Sequence, residues 1–380
     1  MDMQTYRSQM DEVDQQLVSL FVKRMELSQT IAQYKADHKL PLYDPQRERE
    51  KLSHIASQVG PSMATYTDAL YSFLFEMSRS CQRKQMGQNT ALTGEILKAL
   101  EQTEPLFPPR ALVACQGVEG AFSQQACEKI FSSPHILYFN SFEGVFSAID
   151  KGLCRYGILP LENSSAGSVN KIYDLMMKYN FSIVRSTRLK VDHCLLVNPG
   201  VKLKDIKEIL SHDQAFAQCQ DFLKTMENVK ISSCDNTAAA AKYLYESGRA
   251  DAAALSSRNC AELYGLDCLQ ESVQDQGSNY TRFICISKKL EIFPGADITS
   301  IMMVLPHKPG SVYKVLARFY ALGINLIKLE SRPLPNSDFE FMFYFDLDVS
   351  VYSDAFKQIF GDLEELCVSM KYLGSYTEAV

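Results

Sequence analysis

The hydrophobic pattern of this chain changes twice along its length, and this restricts the fold more than any single motif does. Residues 1–87 have helical periodicity and few turn signals. Residues 88–109 lose that periodicity and end in Pro-rich sequence, which predicts a linker with a possible short helix. From 110 to 287 short apolar runs alternate with helical stretches, which favours α/β structure with a parallel sheet built from βαβ units. Residues 298–376 predict the order strand, helix, strand, strand, helix, strand, which is that of an α+β ferredoxin-like unit.

Composition and charge argue against several classes of function. The 380 residues carry a formal net charge of -6 and no long basic run, so nucleic acid is not expected as a partner. No apolar stretch approaches the roughly 18 residues of a membrane helix. The N-terminus lacks the basic start and apolar core of a secretory signal. The 11 cysteines show neither Cys-x-x-Cys pairs nor the spacing of zinc ligands. We therefore expect a cytoplasmic protein with reduced thiols, no metal and no membrane partner.

The first predicted helix places two cations on its apolar face. On a helical wheel the apolar residues form one stripe, which consists of Val13, Leu17, Leu20, Leu27 and Ile31. Arg24 lies at the centre of this stripe, and Lys35 lies about 20° from it. Buried cations are costly unless an anion meets them. The pattern therefore indicates either ion pairs with carboxylates of other helices or a polar pocket for a small anion.

Arg7 lies on the same helix but cannot serve the same pocket within one chain. It is about 100° from Arg24 around the helix and about 25 Å along it. If Arg7 reaches the pocket of Arg24, it must come from a second protomer. This predicts a helix-swapped dimer.

Further polar residues occur on the second and third predicted helices. Asp44 precedes a proline and fits a helix N-cap. Arg47 and Glu48 then lie in the first helical turn. Ser78 and Gln82 are four residues apart and share an otherwise apolar face of the third helix.

These polar positions resemble those of the all-helical chorismate mutase family. The resemblance implies a three-helix protomer in an intertwined dimer, whose two sites rearrange chorismate to prephenate without an acid, a base or a nucleophile. It makes Lys35 and Gln82 the catalytic donors to the ether oxygen. It also implies a set of substrate-binding residues, with arginines on the carboxylates and a glutamate on the ring hydroxyl. That set is Arg7, Arg24, Asp44, Arg47, Glu48 and Ser78.

Four polar stretches of the second block lie at the ends of predicted strands. They are residues 117–123, 162–168, 211–215 and 281–283. Each alone is ordinarily a loop or a helix cap, but four of them at strand ends indicate a shared cleft. The glycines of the first stretch do not have Gly-x-Gly-x-x-Gly spacing, so no dinucleotide site is predicted.

These stretches resemble the prephenate dehydratase family. The matching sequences are GVEGAFS, LPLENSSAGSV, DHCLLV, SHDQAFAQC and NYTRF, with Asp213 at a position where the family usually has proline. The resemblance implies two α/β lobes around a cleft, as in periplasmic binding proteins, and a reaction without metal or cofactor. It makes Thr281 the catalytic donor to the leaving hydroxyl of prephenate. The implied substrate-site residues are Ser123, Glu162, Asn163, Ser211, Gln218, Arg282 and Phe283. His193 lies within an apolar strand and is interpreted as structural.

The third block resembles an ACT domain, a ferredoxin-like module that binds amino acids between two copies. The sequences Pro-Gly-Ser-Val from 309 and Glu-Ser-Arg-Pro from 330 match the phenylalanine-binding motifs of the dehydratase family, with Ser311 where alanine is usual. The resemblance implies L-phenylalanine as effector. The effector-binding residues would be Gly310, Ser311, Val312, Glu330, Ser331 and Arg332. The alternative is that Glu330 and Arg332 form only a solvated strand end.

We therefore expect a bifunctional chorismate mutase–prephenate dehydratase that is inhibited by L-phenylalanine and forms a homodimer or a higher oligomer. The predicted domains are 1–87 for the mutase, 110–287 for the dehydratase and 298–376 for the effector. Two alternatives remain open. One is a monofunctional dehydratase whose helical block only dimerises. The other is an amino-acid-binding regulator without catalysis, which would have no need of Thr281, Arg24 and Lys35.

Overall fold

The computed structural model describes residues 2–41, 43–86, 91–334 and 340–379. These residues form two compact units. One contains the chain up to Gly94 together with Lys357–Leu366, and the other contains Glu95–Phe356 together with the chain from Cys367 onward. None of the helices in these described ranges is both long and apolar enough to cross a membrane.

Three helices make up most of the first unit. They are α1 (Met3–Asp37), α2 (Pro45–Gln58) and α3 (Pro61–Met86). The predicted N-cap of α2 is confirmed, because the side chain of Asp44 accepts a hydrogen bond of 3.0 Å from the backbone N–H of Arg47. Both α1 and α2 pack on α3.

The apolar stripe of α1 is largely exposed within this chain. Leu20 is 65% exposed. The other members of the stripe are about half exposed: Val13, Leu17, Leu27 and Ile31. A face of this length that lies open in one chain needs another surface to cover it.

The predicted linker contains regular structure. Helix α4 (Ala91–Gln102) buries Ile96 and Ala99. Residues 88–90 of the predicted linker lie outside the described residues.

Two sheets with their helices follow. The strands are β1 (Leu112–Gln116), β2 (His135–Phe139), β3 (Tyr156–Asn163), β4 (Gly167–Ser168), β5 (Ser182–Lys190), β6 (Cys194–Val197), β7 (Glu208–Ser211), β8 (Lys230–Ser233), β9 (Ala252–Ser256), β10 (Asp267–Gln270) and β11 (Tyr280–Ser287). The helices are α5 (Phe122–Ile130), α6 (Phe142–Asp150), α7 (Asn170–Lys178), α8 (Asp213–Gln218), α9 (Gln220–Lys224), α10 (Thr237–Ser247) and α11 (Arg258–Tyr264).

The prediction of a parallel sheet is correct only for part of each sheet. Strands β1, β2 and β3 are parallel, as are β7, β8 and β9. In the first sheet β11 runs antiparallel to both β3 and β5, and in the second β6 runs antiparallel to β9 and β10. The chain passes from the first sheet to the second after β5 and returns at β11. The connections from β5 to β6 and from β10 to β11 contain no helix. Parallel pairing requires a longer crossover connection, which is usually a helix.

A four-stranded antiparallel sheet completes the second unit. Its elements are β12 (Ile298–Val304), α12 (Ser311–Ala321), β13 (Asn325–Pro333), β14 (Phe341–Asp348) and β15 (Ser369–Tyr376), and a short strand, β16 (Glu378–Ala379), pairs with β5. Between β14 and β15 the chain forms α13 (Asp354–Leu366), of which residues 357–366 belong to the first unit. The strand order β13-β14-β12-β15 is that of the predicted ferredoxin-like unit. Residue 339, where the third predicted strand starts, lies outside the described residues.

The four-stranded sheet packs closely on the first sheet. Tyr344 and Tyr376 share a buried apolar cluster with Tyr173 and Ile284. At Gly374, where φ is +136°, a Cβ atom would lie 2.3 Å from the carbonyl oxygen of Ile183. Only glycine permits so close an approach of two backbones.

Candidate active sites

A cavity of about 400 Å³ lies between the two lobes of the second unit. Ends of β1, β3 and β11 line it on one side, and the segments before α8 and α10 line it on the other. Its walls include five predicted substrate-site or catalytic residues: Ser123, Asn163, Gln218, Thr281 and Phe283. The sequence thus correctly predicted that stretches distant in the chain meet at one cleft.

At the wall of this cavity, Asn163 and Thr281 form a hydrogen-bonded pair. They are register partners in β3 and β11. The Nδ2 atom of Asn163 donates to Oγ1 of Thr281 at 2.9 Å and to Oδ1 of Asn279 at 2.7 Å. Because the threonine oxygen accepts this bond, its own O–H is available to donate into the cavity.

Gln218 continues the network. Its Nε2 atom donates to Ser165 Oγ at 2.9 Å, and its Oε1 atom accepts from Asn279 Nδ2 at 3.0 Å. Nε2 of His193 also lies 3.0 Å from Gln218 Oε1. These amide contacts fix the rotamer of Asn163 and therefore the direction of the Thr281 hydroxyl.

His193 is a neutral member of this network. Burial lowers its pKa below the ordinary value, and the hydrogen bond with Gln218 offsets this only in part. Its Nδ1 atom is buried and has no hydrogen-bond partner among the described residues. The prediction that His193 lies within a strand was wrong, because β6 begins only at Cys194. His193 directly precedes that strand and lines the cavity.

Three predicted site residues have side chains that do not line the cavity. Ser211 is fully buried and donates to the carbonyl oxygen of Leu255 at 2.7 Å, which ties β7 to β9. Glu162 accepts a hydrogen bond from Lys328. Arg282 is 2% exposed and pairs with Asp346 at 2.5 Å.

Asn279 was not among the site residues predicted from the sequence, although it is the first residue of the matching stretch NYTRF. Asn279 is 1% exposed and contacts both Asn163 and Gln218. An amide two residues before the predicted catalytic threonine was the available signal. The unusual Asp213 begins α8, where its carboxylate accepts a hydrogen bond from Ser233, and a negative charge suits a helix N-terminus.

Arg24 is the best-defined polar group of the first unit. It donates to the carbonyl oxygen of Leu74 at 2.9 Å and also to the hydroxyl of Ser78. Its guanidinium lies 5.7 Å from the ring centre of Phe75. Burial lowers the pKa of Arg24, which nevertheless stays charged at neutral pH. These contacts hold its guanidinium against α3.

The other predicted mutase residues differ in exposure: Gln82, Lys35 and Glu48 are at least partly buried, and Arg7, Asp44 and Arg47 are exposed. Gln82 is buried, and its Oε1 atom has no hydrogen-bond partner within the described ranges. Lys35 is half-buried. Glu48 pairs with Arg79, a partner that the sequence did not predict. Asp44 acts as the helix cap, and the structure leaves Arg7 and Arg47 exposed.

A second cavity, of about 660 Å³, lies beside the start of α12. It is lined by Gly310, Ser311 and Val312, together with Phe341 and Phe343. The remaining predicted effector residues lie elsewhere. Glu330 accepts from Ser168 at 2.7 Å, and Arg332 pairs with Asp174 at 3.2 Å, whereas Ser331 is exposed. The two predicted effector motifs therefore do not share one cavity within a single chain.

No group of three or more His, Cys, Asp or Glu side chains in the described ranges is arranged to hold a metal ion. None of the 11 cysteines, all of which lie in the described ranges, forms a disulfide.

Comparison with known proteins relates both units to known families. Residues 113–291 match the family model of prephenate dehydratase, and residues 6–83 match that of chorismate mutase type II. The arogenate dehydratase/prephenate dehydratase 2 of Arabidopsis thaliana is 35% identical over 311 residues, which cover 78% of this chain and 81% of that protein. The bifunctional chorismate mutase/prephenate dehydratase of Escherichia coli (strain K12) is 29% identical over 380 residues, which cover 97% of this chain and 95% of that protein.

A solved structure is similar to a large part of this chain. It is a prephenate dehydratase from Arthrobacter aurescens in complex with L-Phe. The match has a TM-score of 0.64 and 27% sequence identity, and it covers 70% of this chain and 90% of that chain.

Proposed function

The chain belongs to the family of the bifunctional chorismate mutase/prephenate dehydratases, and from this membership we propose that it carries out two consecutive reactions. The helical unit rearranges chorismate to prephenate. The cleft of the second unit converts prephenate to phenylpyruvate. The product of the first site is thus the substrate of the second, as phenylalanine biosynthesis requires.

The hydrogen bond between Asn163 and Thr281 is the observation that carries the dehydratase proposal. In this reaction the C–C bond to the ring carboxylate breaks, and its electron pair enters the ring. The ring hydroxyl leaves with the C–O electron pair as hydroxide, which takes one proton from the solvent, so that the products are CO₂, water and an aromatic ring. The Thr281 O–H donates a hydrogen bond that strengthens as the hydroxyl leaves.

The cavity offers helix N–H groups for the substrate carboxylates. Of the described residues that line it, none is lysine or arginine. Helix α5 begins at the cavity with Phe122 and Ser123 and has no side-chain cap. The N–H groups of Gln124 and Gln125 donate to the carbonyl oxygen of Ala121, so the N–H groups of Phe122 and Ser123 are the ones that can meet a substrate carboxylate.

The mutase proposal rests on Arg24 and Gln82. The rearrangement needs a compact substrate conformer and stabilisation of negative charge on the ether oxygen. Arg24, held by Leu74 and Ser78, suits a carboxylate. The buried Gln82 and the half-buried Lys35 supply donors to the ether oxygen.

We further propose that the helical unit forms a dimer through α1. The exposed stripe that contains Leu20 supports this, because a second copy would cover it. A partner's Arg7 would then complete the site. The buried free thiols also support a reducing compartment such as the cytoplasm.

L-phenylalanine is the proposed effector, and the module formed by β12–β15 is the proposed ACT domain. The cavity beside Gly310 is large enough for an amino acid, and Phe341 and Phe343 suit an aromatic side chain. Residues of β13 would be contributed by a second copy, since Glu330 and Arg332 do not reach this cavity in their own chain.

The decisive experiment supplies purified protein with chorismate and follows prephenate and phenylpyruvate separately, with and without L-phenylalanine. Both prephenate and phenylpyruvate should form, and L-phenylalanine should lower the rate at which phenylpyruvate forms. Turnover of supplied prephenate without consumption of chorismate would favour the monofunctional alternative. Turnover of neither, with phenylalanine binding retained, would favour the regulator.

Arogenate is a second candidate substrate for the cleft. The plant relative that is 35% identical carries both arogenate and prephenate dehydratase in its name. The two substrates differ in that arogenate has an amino group where prephenate has a keto group. A comparison of kcat/KM for the two substrates decides between them.

A further inference from the structure

Two neighbouring residue pairs on β3 and β11 have different surroundings. Thr281 is paired with Asn163, and Arg282 with Glu162. Successive side chains of a strand point to opposite faces. The first pair therefore faces the cavity, and the second faces the four-stranded sheet.

Arg282 is held by a buried acid of that sheet. Its guanidinium pairs with Asp346 at 2.5 Å and donates to the hydroxyl of Tyr376 at 2.9 Å. Asp346 is 0% exposed, and its other oxygen accepts from Ser300. Both terminal nitrogens of Arg282 thus donate to groups on the side away from the cavity, whereas its buried Nε has no hydrogen-bond partner among the described residues.

Glu162 is held in the same way by a cation. It accepts a hydrogen bond from Lys328 on β13, and it lies 3.4 Å from Arg282. Lys328 and Arg282 together lower the pKa of Glu162 against the effect of burial, which keeps it ionised. Charges of alternating sign therefore connect Lys328, Glu162, Arg282 and Asp346.

Strand β13 also holds the hairpin that carries Asn163. In this hairpin Glu162 pairs with Ser168. Lys328 donates to Ser168 Oγ at 3.1 Å, and Glu330 accepts from the same hydroxyl at 2.7 Å. Both ends of the hairpin are thus fixed to one strand of the four-stranded sheet.

We propose that Lys328, Glu162, Arg282 and Asp346 act as positioning residues for the dehydratase reaction, through which the four-stranded sheet sets the geometry of Asn163 and Thr281. They do not touch the substrate. The inference rests on the proposed dehydratase function and adds to it the residues that orient the catalytic hydroxyl. It also assigns Glu162 and Arg282 to positioning rather than to substrate binding.

The reason is geometric. Asn163 directly follows Glu162 in the chain, and Arg282 directly follows Thr281, so each residue of the cavity-facing pair is covalently linked to a residue of the pair that faces the four-stranded sheet. A shift of Glu162 or Arg282 therefore moves the 2.9 Å contact between Asn163 and Thr281. Misplacement of a catalytic group by about 1 Å costs on the order of a hundred-fold in rate.

Lys328→Met tests the proposal, because it removes the charge but keeps most of the apolar stem. Native protein must first turn over prephenate; if it does not, the proposed function has failed rather than this inference. For the variant we expect the dehydratase kcat to fall roughly ten-fold or more, with the KM for prephenate within about two-fold. Mutase activity should not change. Lys328→Arg should restore most of the kcat.

A double-mutant cycle separates positioning from general destabilisation. Lys328→Met combined with Glu162→Gln should lose no more kcat than Glu162→Gln alone, because both changes remove the same contact. The matched control is Arg155→Met, which breaks another pair with a buried carboxylate in the same lobe, at 2.7 Å from Glu291. It should leave the kcat unchanged.

Three results would overturn the proposal: native kcat in Lys328→Met, an equal loss in Arg155→Met, or a loss confined to KM. If Lys328→Met does not fold, as judged by circular dichroism and mutase activity, Lys328→Gln replaces it. That variant keeps a donor for Ser168 without the charge, and the same three results apply to it.

Discussion

The side-chain amide of Asn163 donates a hydrogen bond of 2.9 Å to the hydroxyl oxygen of Thr281, which leaves the Thr281 O–H to donate into the cavity. This relationship gives a hydroxyl group a defined direction in a cavity of about 400 Å³. Because threonine is a very weak acid, the proposed role of Thr281 depends on how its O–H is oriented and not on its acidity.

Thr281→Val should lower the dehydratase kcat by roughly two to three orders of magnitude, as loss of one preorganised donor typically does. Valine has nearly the same shape, so the fold and the mutase activity should persist. Thr281→Ser keeps the hydroxyl and is the control. Steady-state kinetics on prephenate measure both variants, and near-native kcat in Thr281→Val would rule out the assigned role.

Lys35→Ala should lower mutase activity and leave dehydratase activity on supplied prephenate intact. Loss of a donor to the ether oxygen raises the barrier by roughly 3–4 kcal/mol. The two predicted sites lie in separate compact units. Equal loss of both activities in a folded variant would contradict independent sites.

Arg7→Ala and Arg24→Ala should complement each other if the mutase site is shared across a dimer. Helix α1 is continuous from Met3 to Asp37, so Arg7 lies about 25 Å from Arg24 along it. In a mixed dimer one site carries both defects and the other carries neither. Mutase activity should therefore recover after the two inactive variants are mixed and exchange subunits.

Size-exclusion chromatography with distinguishable tags shows whether subunits have exchanged. Exchange without recovery of activity would mean that Arg7 does not act across the dimer.

The sequence predicted the elements better than the directions of their side chains. The cap at Asp44 and the succession of strands and helices along residues 298–376 depend on local chemistry and periodicity, which a sequence shows directly. The resemblance to the prephenate dehydratase family implied that Arg282 binds substrate. The face to which it points depends on the four-stranded sheet that packs behind β11, and that packing is a tertiary property.

The mixed pairing of the sheets and the partner of Glu48 were unpredictable for related reasons. Antiparallel β11 results from the return of the chain between two lobes. The pair between Glu48 and Arg79 joins residues on different helices, and periodicity alone does not specify which helices meet.

Acidification should destabilise the cleft through His193. Burial lowers its pKa in the folded protein, whereas in the unfolded chain it titrates near 6.5. The unfolded state therefore binds more protons as pH falls below about 6.5, and the free energy of unfolding decreases in that range. Above that pH the contribution of His193 is complete.

An NMR titration of the His193 ring measures this directly, and a midpoint at or above the unfolded value would contradict it. In urea unfolding at pH 5.5 and 7.5, His193→Gln should reduce the difference in stability between the two pH values. The same substitution at the exposed His54 serves as the control for loss of a histidine elsewhere in the chain.

Gly310→Val should raise the concentration of L-phenylalanine needed for inhibition by at least roughly ten-fold, with near-native dehydratase activity in its absence. Gly310 has a φ of +84°, a conformation that a β-branched residue avoids. A Cβ atom there would meet nothing within 4 Å, so backbone strain rather than crowding disturbs the turn that lines the proposed effector cavity.

Gly323→Val is the matched control, because Gly323 has a φ of +66° at the other end of α12 and does not line that cavity. Calorimetry with the 380-residue chain should show phenylalanine binding for native and Gly323→Val protein and little for Gly310→Val. Unchanged inhibition in Gly310→Val would place the effector site elsewhere, and competition with prephenate would then identify the dehydratase cleft as that site.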